Sequence, residues 1–154
     1  MNGPMYLRLS SPLPCAKGEF SMRRTRADAV RAWLMKARKD LETARQMSRL
    51  GSDYTDIVCF HAQQAAEKAL KGYLVWLGID FPKTHVLEDL LDLIAPRDTS
   101  LERWRVDLQA LSPLAVETRY PEFGQPSLQE AQKAIVTAEQ VLEHLQGALG
   151  ECLG

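Results

Sequence analysis

Phe60-His61-Ala62-Gln63-Gln64-Ala65-Ala66-Glu67-Lys68-Ala69-Leu70-Lys71 decides the fold of this chain. At about 100° per residue, His61, Gln64, Lys68 and Lys71 fall within a quarter turn of one another. Val58, Ala62, Ala65, Ala66, Ala69, Tyr73, Trp76 and Leu77 fall on the opposite side. The stretch therefore reads as an amphipathic helix. Alanine leaves room for a neighbouring backbone, so this helix is expected to lie against others over a long contact. A solvated face would mix Lys and Glu without order. One His, one amide and two cations in line point to a binding site or to an interface with polar contacts.

Working outward, Val30, Leu34, Ala37, Leu41, Ala44 and Ser48 recur at three- and four-residue steps and predict a helix over 27–50, ended by Gly51. Ser52 and Asp53 are candidate caps for the alanine-rich helix, predicted over 54–77 and stopped by Gly78. Thr84 is a candidate cap for a short helix over 85–95, which Pro96 closes. Thr99-x-x-Glu102 and Ser127-x-x-Glu130 read as capping boxes. The first opens a segment carrying Leu101, Trp104, Leu108 and Leu111 that breaks at Pro113. The second opens the last helix, where Leu128, Ala131, Ile135, Ala138, Leu142, Leu145 and Leu149 form a near-heptad seam. No segment alternates with a period of two. The fold expected is all-α, an up-and-down four-helix bundle with one extra short helix. Its domain is expected over 27–148, with a poorly ordered N-terminal tail at 1–26 and a C-terminal tail at 149–154.

The chain has 154 residues, which fits one domain, and a formal net charge of −1. Residues 1–26 hold five Arg or Lys against one acid, a balance of +4, so the remainder carries −5. An acidic body does not offer the cationic surface of a sequence-independent nucleic-acid binder. Three cysteines, at 15, 59 and 152, give neither a disulfide framework nor metal-ligand spacing. A reducing cytoplasm is the reading they support, with Cys59 as a small buried hydrophobe. No run of about 18 apolar residues suggests a membrane span. Arg23-Arg24 and Leu13-Pro14-Cys15 lack the apolar stretch of an export signal, and Met22 is a candidate start.

The polar stripe has two readings. His61 and Lys68 can hold an anion such as a nucleotide phosphate, with Gln64 reading a base or ribose. Alternatively the stripe packs on a second copy of itself. Lys83 and His85 flank a helix start, where backbone N–H groups attract anions; the plain alternative is that Thr84 caps and the others are surface residues. Arg119 can reach a phosphate or a carboxylate bidentately, or pair with Glu117 or Glu122 while Tyr120 packs at the core rim. Glu88, Asp89 and Asp92 read as a solvated helix face. No Gly-rich phosphate loop, Cys/His cluster or nucleophile elbow is present. Neither a metal nor a cofactor is called for. The alanine-rich helix and the last-helix seam offer more apolar surface than one core needs, so a homodimer is expected.

Four motifs in order resemble those of the HEPN domain family, the higher-eukaryote and prokaryote nucleotide-binding domains. The central stretch at 60–71 is one. Ala32-Trp33-Leu34, Ala37, Asp40-Leu41 and Ala44 resemble the family's first helix, and Gly78-Ile79 with Pro82-Lys83-Thr84-His85-Val86-Leu87 its turn into a third helical segment. Arg119-Tyr120-Pro121 resembles the motif before the last helix. The resemblance implies a small helical partner of a minimal nucleotidyltransferase, dimeric, with a nucleotide-binding or toxin–antitoxin role. The family's catalytic branch resembles a metal-independent ribonuclease, with an Arg followed after four to six residues by a His: one for the phosphate, one for proton transfer. None of His61, His85 and His144 has such an Arg before it. No catalytic residue is assigned, and the alternative function is a ribonuclease-like toxin using a displaced Arg/His pair. The ligand candidates are His61, Gln64, Lys68, Lys71, Lys83, His85, Arg119 and Tyr120.

Overall fold

The computed structural model describes residues 25–153, except the side chains of 151 and 152. The tail read at 1–26, with its basic excess, Cys15 and Met22, lies outside the described residues up to residue 24. Thr25 and Arg26 do not belong to a tail. Thr25 caps α1 (Arg26–Ser48), its hydroxyl accepting from Asp28 N–H while Asp28 accepts from Thr25 N–H. This reciprocal box satisfies two donors that every helix start leaves open.

α1 ends two residues earlier than the periodicity predicts, with Arg49 as its cap. Gly51 follows at φ 89°, where a side chain would be strained. Ser52–Tyr54 form a 3-10 turn, not a cap, and α2 (Thr55–Leu77) starts with no side-chain cap. It stops as predicted at Gly78, whose φ of 70° lets Ile79 N–H reach back to Leu74 O at 3.0 Å.

α2 is the central helix. Val58, Cys59, Ala62, Ala65, Ala66, Ala69, Leu70 and Leu74 are fully buried. Leu70 and Leu74 each contribute about 1.5–3 kcal/mol by burial. The alanines and Gly72 let α1 come close: a Cβ at Gly72 would meet Trp33 Cβ at 2.9 Å.

α3 (Leu87–Ile94) begins two residues later than predicted. Thr84 Oγ1 accepts from Val86 N–H, but the first helical N–H, of Leu87, donates to Ser112 Oγ at 2.8 Å. The cap thus comes from 25 residues away. Thr99-x-x-Glu102 does not make its box either. Glu102 instead accepts from Arg105 at 2.7 and 2.8 Å, and Arg105 also reaches Asp92. That segment is a 3-10 turn, Glu102–Trp104, running into α4 (Arg105–Leu111), with the break at Pro113 and then α5 (Leu114–Glu117). These short pieces fill the fourth side of the bundle.

Ser127 and Glu130 do form their box, at 2.7 and 3.0 Å, and open α6 (Leu128–Leu153). The residues read as a C-terminal tail continue this helix to Leu153, because Leu149 and Leu153 extend its apolar seam. Every seventh residue of α1 clasps every seventh residue of α6 in antiparallel register. Arg31 donates to Leu153 O at 2.6 Å, Arg38 to the Gln146 amide oxygen, and Arg45 to Glu139 at 2.7 Å. The result is an all-α bundle in which α1, α2 and α6 are the long members and no described residue is in a strand. No described helix is long and apolar enough to cross a membrane.

Candidate functional site

The predicted polar stripe of α2 divides into two ion-pair clusters. In the first, Asp40 of α1 takes both cationic partners. His61 Nδ1 lies 2.9 Å from Asp40 Oδ1, and Lys68 Nζ donates to Asp40 Oδ2. All three side chains are largely covered. The His61 ring stands edge-on to Phe60, its centroid 5.3 Å away, and the Arg119 guanidinium lies over Phe60 at 5.9 Å.

The second cluster centres on Glu67, whose side chain is 5% exposed. Lys71 donates to one carboxylate oxygen at 2.7 Å. The other faces His85 Nδ1 at 3.0 Å and accepts from Gln63 and Gln64 at 3.2 and 3.3 Å. Gln63, fully buried, also donates to His85 O at 3.0 Å. Lys71 is 8% exposed and lies over the Phe81 ring at 5.9 Å. Burial alone would push the Glu67 carboxyl up. The hydrogen bonds from Lys71 and His85, the Lys71 charge and the Gln63 bond outweigh it and hold Glu67 below the usual carboxylate range.

Of the eight predicted residues, six are thereby drawn into these two clusters or onto Phe60: His61 and Lys68; Gln64, Lys71 and His85; and Arg119. Lys83 and Tyr120 are exposed and belong to neither cluster. Lys71 does not share the open face assigned to it; it turns inward to Glu67. Two carboxylates balance the two lysines, so Lys68 and Lys71 bring no excess charge for an anion. Gln64 is half-buried and hydrogen-bonds Gln63 and Glu67.

Sequence reasoning placed Asp40, Gln63 and Glu67 in motifs but gave them no role. A signal was present for each. Asp40 lies three residues after Ala37 and four before Ala44, an acid on an apolar stripe. Gln63, Glu67 and Lys71 follow one another at four-residue steps, the spacing that brings helix side chains together.

The least covered face of α2 and the turn before it runs through Tyr54, Ile57, His61, Gln64 and Lys68, of which Tyr54 and Ile57 are exposed and the others partly covered. Tyr54 and Ile57 are 44% and 39% exposed. The loop before α6 packs beside it: Gln125 donates to Thr55 Oγ1 at 2.8 Å and to Asp56 at 3.2 Å, and Thr55 donates to Pro126 O at 2.6 Å. That loop carries Tyr120 and Phe123, 47% and 55% exposed. A cleft of about 360 Å³ lined by Ser48, Thr55, Val58 and Leu128 contains none of the eight predicted residues.

Comparison with known proteins bears on the family and the fold. The HEPN domain family matches residues 30–148. The protein named "Putative toxin MJ1304" of Methanocaldococcus jannaschii is 29% identical over 141 residues, 81% of this chain and 91% of that protein. The crystal structure of TT1696 from Thermus thermophilus is 30% identical, with a TM-score of 0.63, and covers 77% of this chain and 96% of its own. That of ST0689, an archaeal HEPN homologue, is 27% identical with a TM-score of 0.64, over 78% and 97%. With the family matched over 30–148 and the long helices where its motifs imply, this chain belongs to the HEPN domain family.

Proposed function

We propose that this protein is a non-catalytic HEPN module of a toxin–antitoxin type pair, dimeric and cytoplasmic, that docks a minimal nucleotidyltransferase. One observation carries the reading. The polar groups of the central motif are consumed inside the fold, by Asp40 and Glu67, while Tyr54 and Ile57 stay exposed at the end of α2 that Gln125 ties to the loop carrying Tyr120 and Phe123. Groups already paired bind anions weakly; exposed aromatic and aliphatic side chains around an Arg suit a protein partner. The likeness to a protein named as a toxin supports the toxin–antitoxin setting. Nucleotide binding is secondary in this reading, through Arg119, Tyr120 and Lys83, the candidates outside the two carboxylate clusters.

The test is assembly. Ile57→Asp changes an exposed side chain and is expected to leave the far-ultraviolet circular dichroism intact. Sedimentation should give a dimer for the wild type and a monomer for the variant. Co-purification with a co-expressed minimal nucleotidyltransferase should be lost in parallel. A wild-type monomer at micromolar concentration that retains no nucleotidyltransferase sinks the proposal.

The displaced Arg/His reading has its own support: Arg119 and His61 both pack on Phe60, and Asp40 orients the His61 ring. In that arrangement His61 would move a proton and Arg119 would hold a phosphate. Cleavage of a short RNA, abolished by His61→Ala and by Arg119→Ala, would replace the non-catalytic reading.

A further inference from the structure

A cluster remote from the α2 motif joins the segment between α3 and α4 to the last helix. His144 of α6 sits against three residues of that segment. Its Nδ1 is 3.0 Å from Arg103 Nη2, and its Nε2 is 2.8 Å from Ser100 Oγ. Its ring lies 5.2 Å from that of Trp104, over which the Arg103 guanidinium stacks at 4.0 Å. Trp104 Nε1–H donates to Gln140, one turn earlier on α6, at 3.0 Å. On the other side of Ser100, Asp98 accepts from Ser100 N–H at 2.8 Å and from the Tyr73 hydroxyl of α2 at 2.7 Å.

These contacts dictate the state of the ring. A guanidinium only donates, so His144 Nδ1 must offer its lone pair. The neutral imidazole then carries its one proton on Nε2, which donates to Ser100 Oγ. A protonated ring has no lone pair. It would set an imidazolium N–H against a guanidinium N–H with no acceptor between them.

We propose that His144 is a proton-operated latch. When neutral, it holds Arg103 on Trp104 and fastens the 98–104 segment to α6. When protonated, it releases Arg103 and turns its charge toward Asp98. The charged and titratable groups facing it are Arg103 and Asp98 from that segment, and Tyr73 of α2 through Asp98. Glu143, its neighbour on α6, is exposed. Asp98 is equipped as the receiving counterion. Burial pushes its carboxyl up, but hydrogen bonds from Ser100 and Tyr73 hold it below the usual range. It is therefore still ionised where imidazoles titrate. Release loosens the segment leading into α4 without disturbing the α1–α2 core.

Amide hydrogen exchange on the full chain tests this, with wild type, His144→Gln and His144→Lys. A glutamine keeps an acceptor for Arg103 and a donor for Ser100 but does not titrate. A lysine is a standing cation. Acidification from about pH 8 to about pH 5.5 spans imidazole titration. Corrected for intrinsic rates, it should speed exchange over 98–105 about tenfold in the wild type and leave His144→Gln unchanged. His144→Lys should exchange fast there at neutral pH. Equal responses of wild type and His144→Gln would overturn the latch. So would a protected segment in His144→Lys. If the lysine variant loses protection throughout, the wild type and His144→Gln comparison decides alone.

Discussion

Replacing Glu67 by glutamine removes one charge from a pair that water hardly reaches. Glu67 and Lys71 are 5% and 8% exposed, with 2.7 Å between their charged atoms. Breaking a buried pair by neutralising one partner typically costs about 3–5 kcal/mol, because the remaining ion stays desolvated. The amide oxygen of Glu67→Gln can accept from Gln63 and Gln64 only with its NH2 turned onto the Lys71 ammonium, donor against donor. The expected loss therefore falls within that range, about 3–5 kcal/mol. That is a large fraction of a typical domain's total stability, about 5–15 kcal/mol. The double change Glu67→Leu with Lys71→Met removes both ions and should cost less than the single one, since His85 can turn its ring to water.

Urea unfolding followed by far-ultraviolet circular dichroism measures both. The wild type should also lose stability in acid. The Glu67 carboxyl titrates lower in the folded protein than in the unfolded chain, where it sits near about 4.3. Its contribution is present above that value and disappears as the pH falls through the folded one. Glu67→Gln should flatten that part of the profile. A single variant within about 1 kcal/mol of wild type at neutral pH would refute the reasoning, because an ion left in a dry site cannot be that cheap.

Two glycines give opposite expectations. Gly72→Ala puts a Cβ 2.9 Å from Trp33 Cβ and should lower the unfolding midpoint despite alanine's better helix propensity. Gly147→Ala meets nothing within 4 Å in α6 and should stabilise by about 0.5–1 kcal/mol in the same assay. Burial, and secondarily Glu130 and Asp56, push the Cys59 thiol up to about 12. In a chain with Cys15→Ser and Cys152→Ser, an aromatic disulfide reagent at neutral pH should label it only in denaturant; rapid native labelling would contradict that burial.

Most of the fold was legible because apolar periodicity and strong local punctuation carry it. Gly78 ends α2 at the predicted place, and Ser127 with Glu130 opens α6 as read. Those signals need only residues within a turn of one another. The features that misled depend on distant partners. Thr84 and Glu102 both matched a capping pattern, yet Leu87 N–H found Ser112, and Glu102 found Arg105 with Asp92 behind it. A short helix held by tertiary contacts takes its caps from whatever packs against it. Thr25 with Asp28 was legible in principle, and was missed because the helix start was set one residue late.

The candidate site failed to read cleanly for a related reason. Periodicity gives the angle of a side chain around its helix, but not the charge waiting on the neighbour. His61 and Lys68 do share a face, and both turn to Asp40, which lies 21 and 28 residues earlier in the chain. Lys71 is close to them in angle, yet far enough round to meet Glu67 under Phe81. A stripe that looks like four cationic or polar ligands is thus divided between two carboxylates, Asp40 and Glu67. In the docking proposed above, a partner reaches the central helix along the arc that begins with the exposed Tyr54 and Ile57. In that proposal the ion pairs of the motif set the rigidity and aim of the arc, while its apolar end supplies the adhesive surface. On this argument Asp40→Asn should disturb partner binding without removing any contact residue, by freeing His61 and Lys68 to move. A binding titration that finds Asp40→Asn equal to wild type, with Ile57→Asp lost, would show that the arc acts without the pairs beneath it.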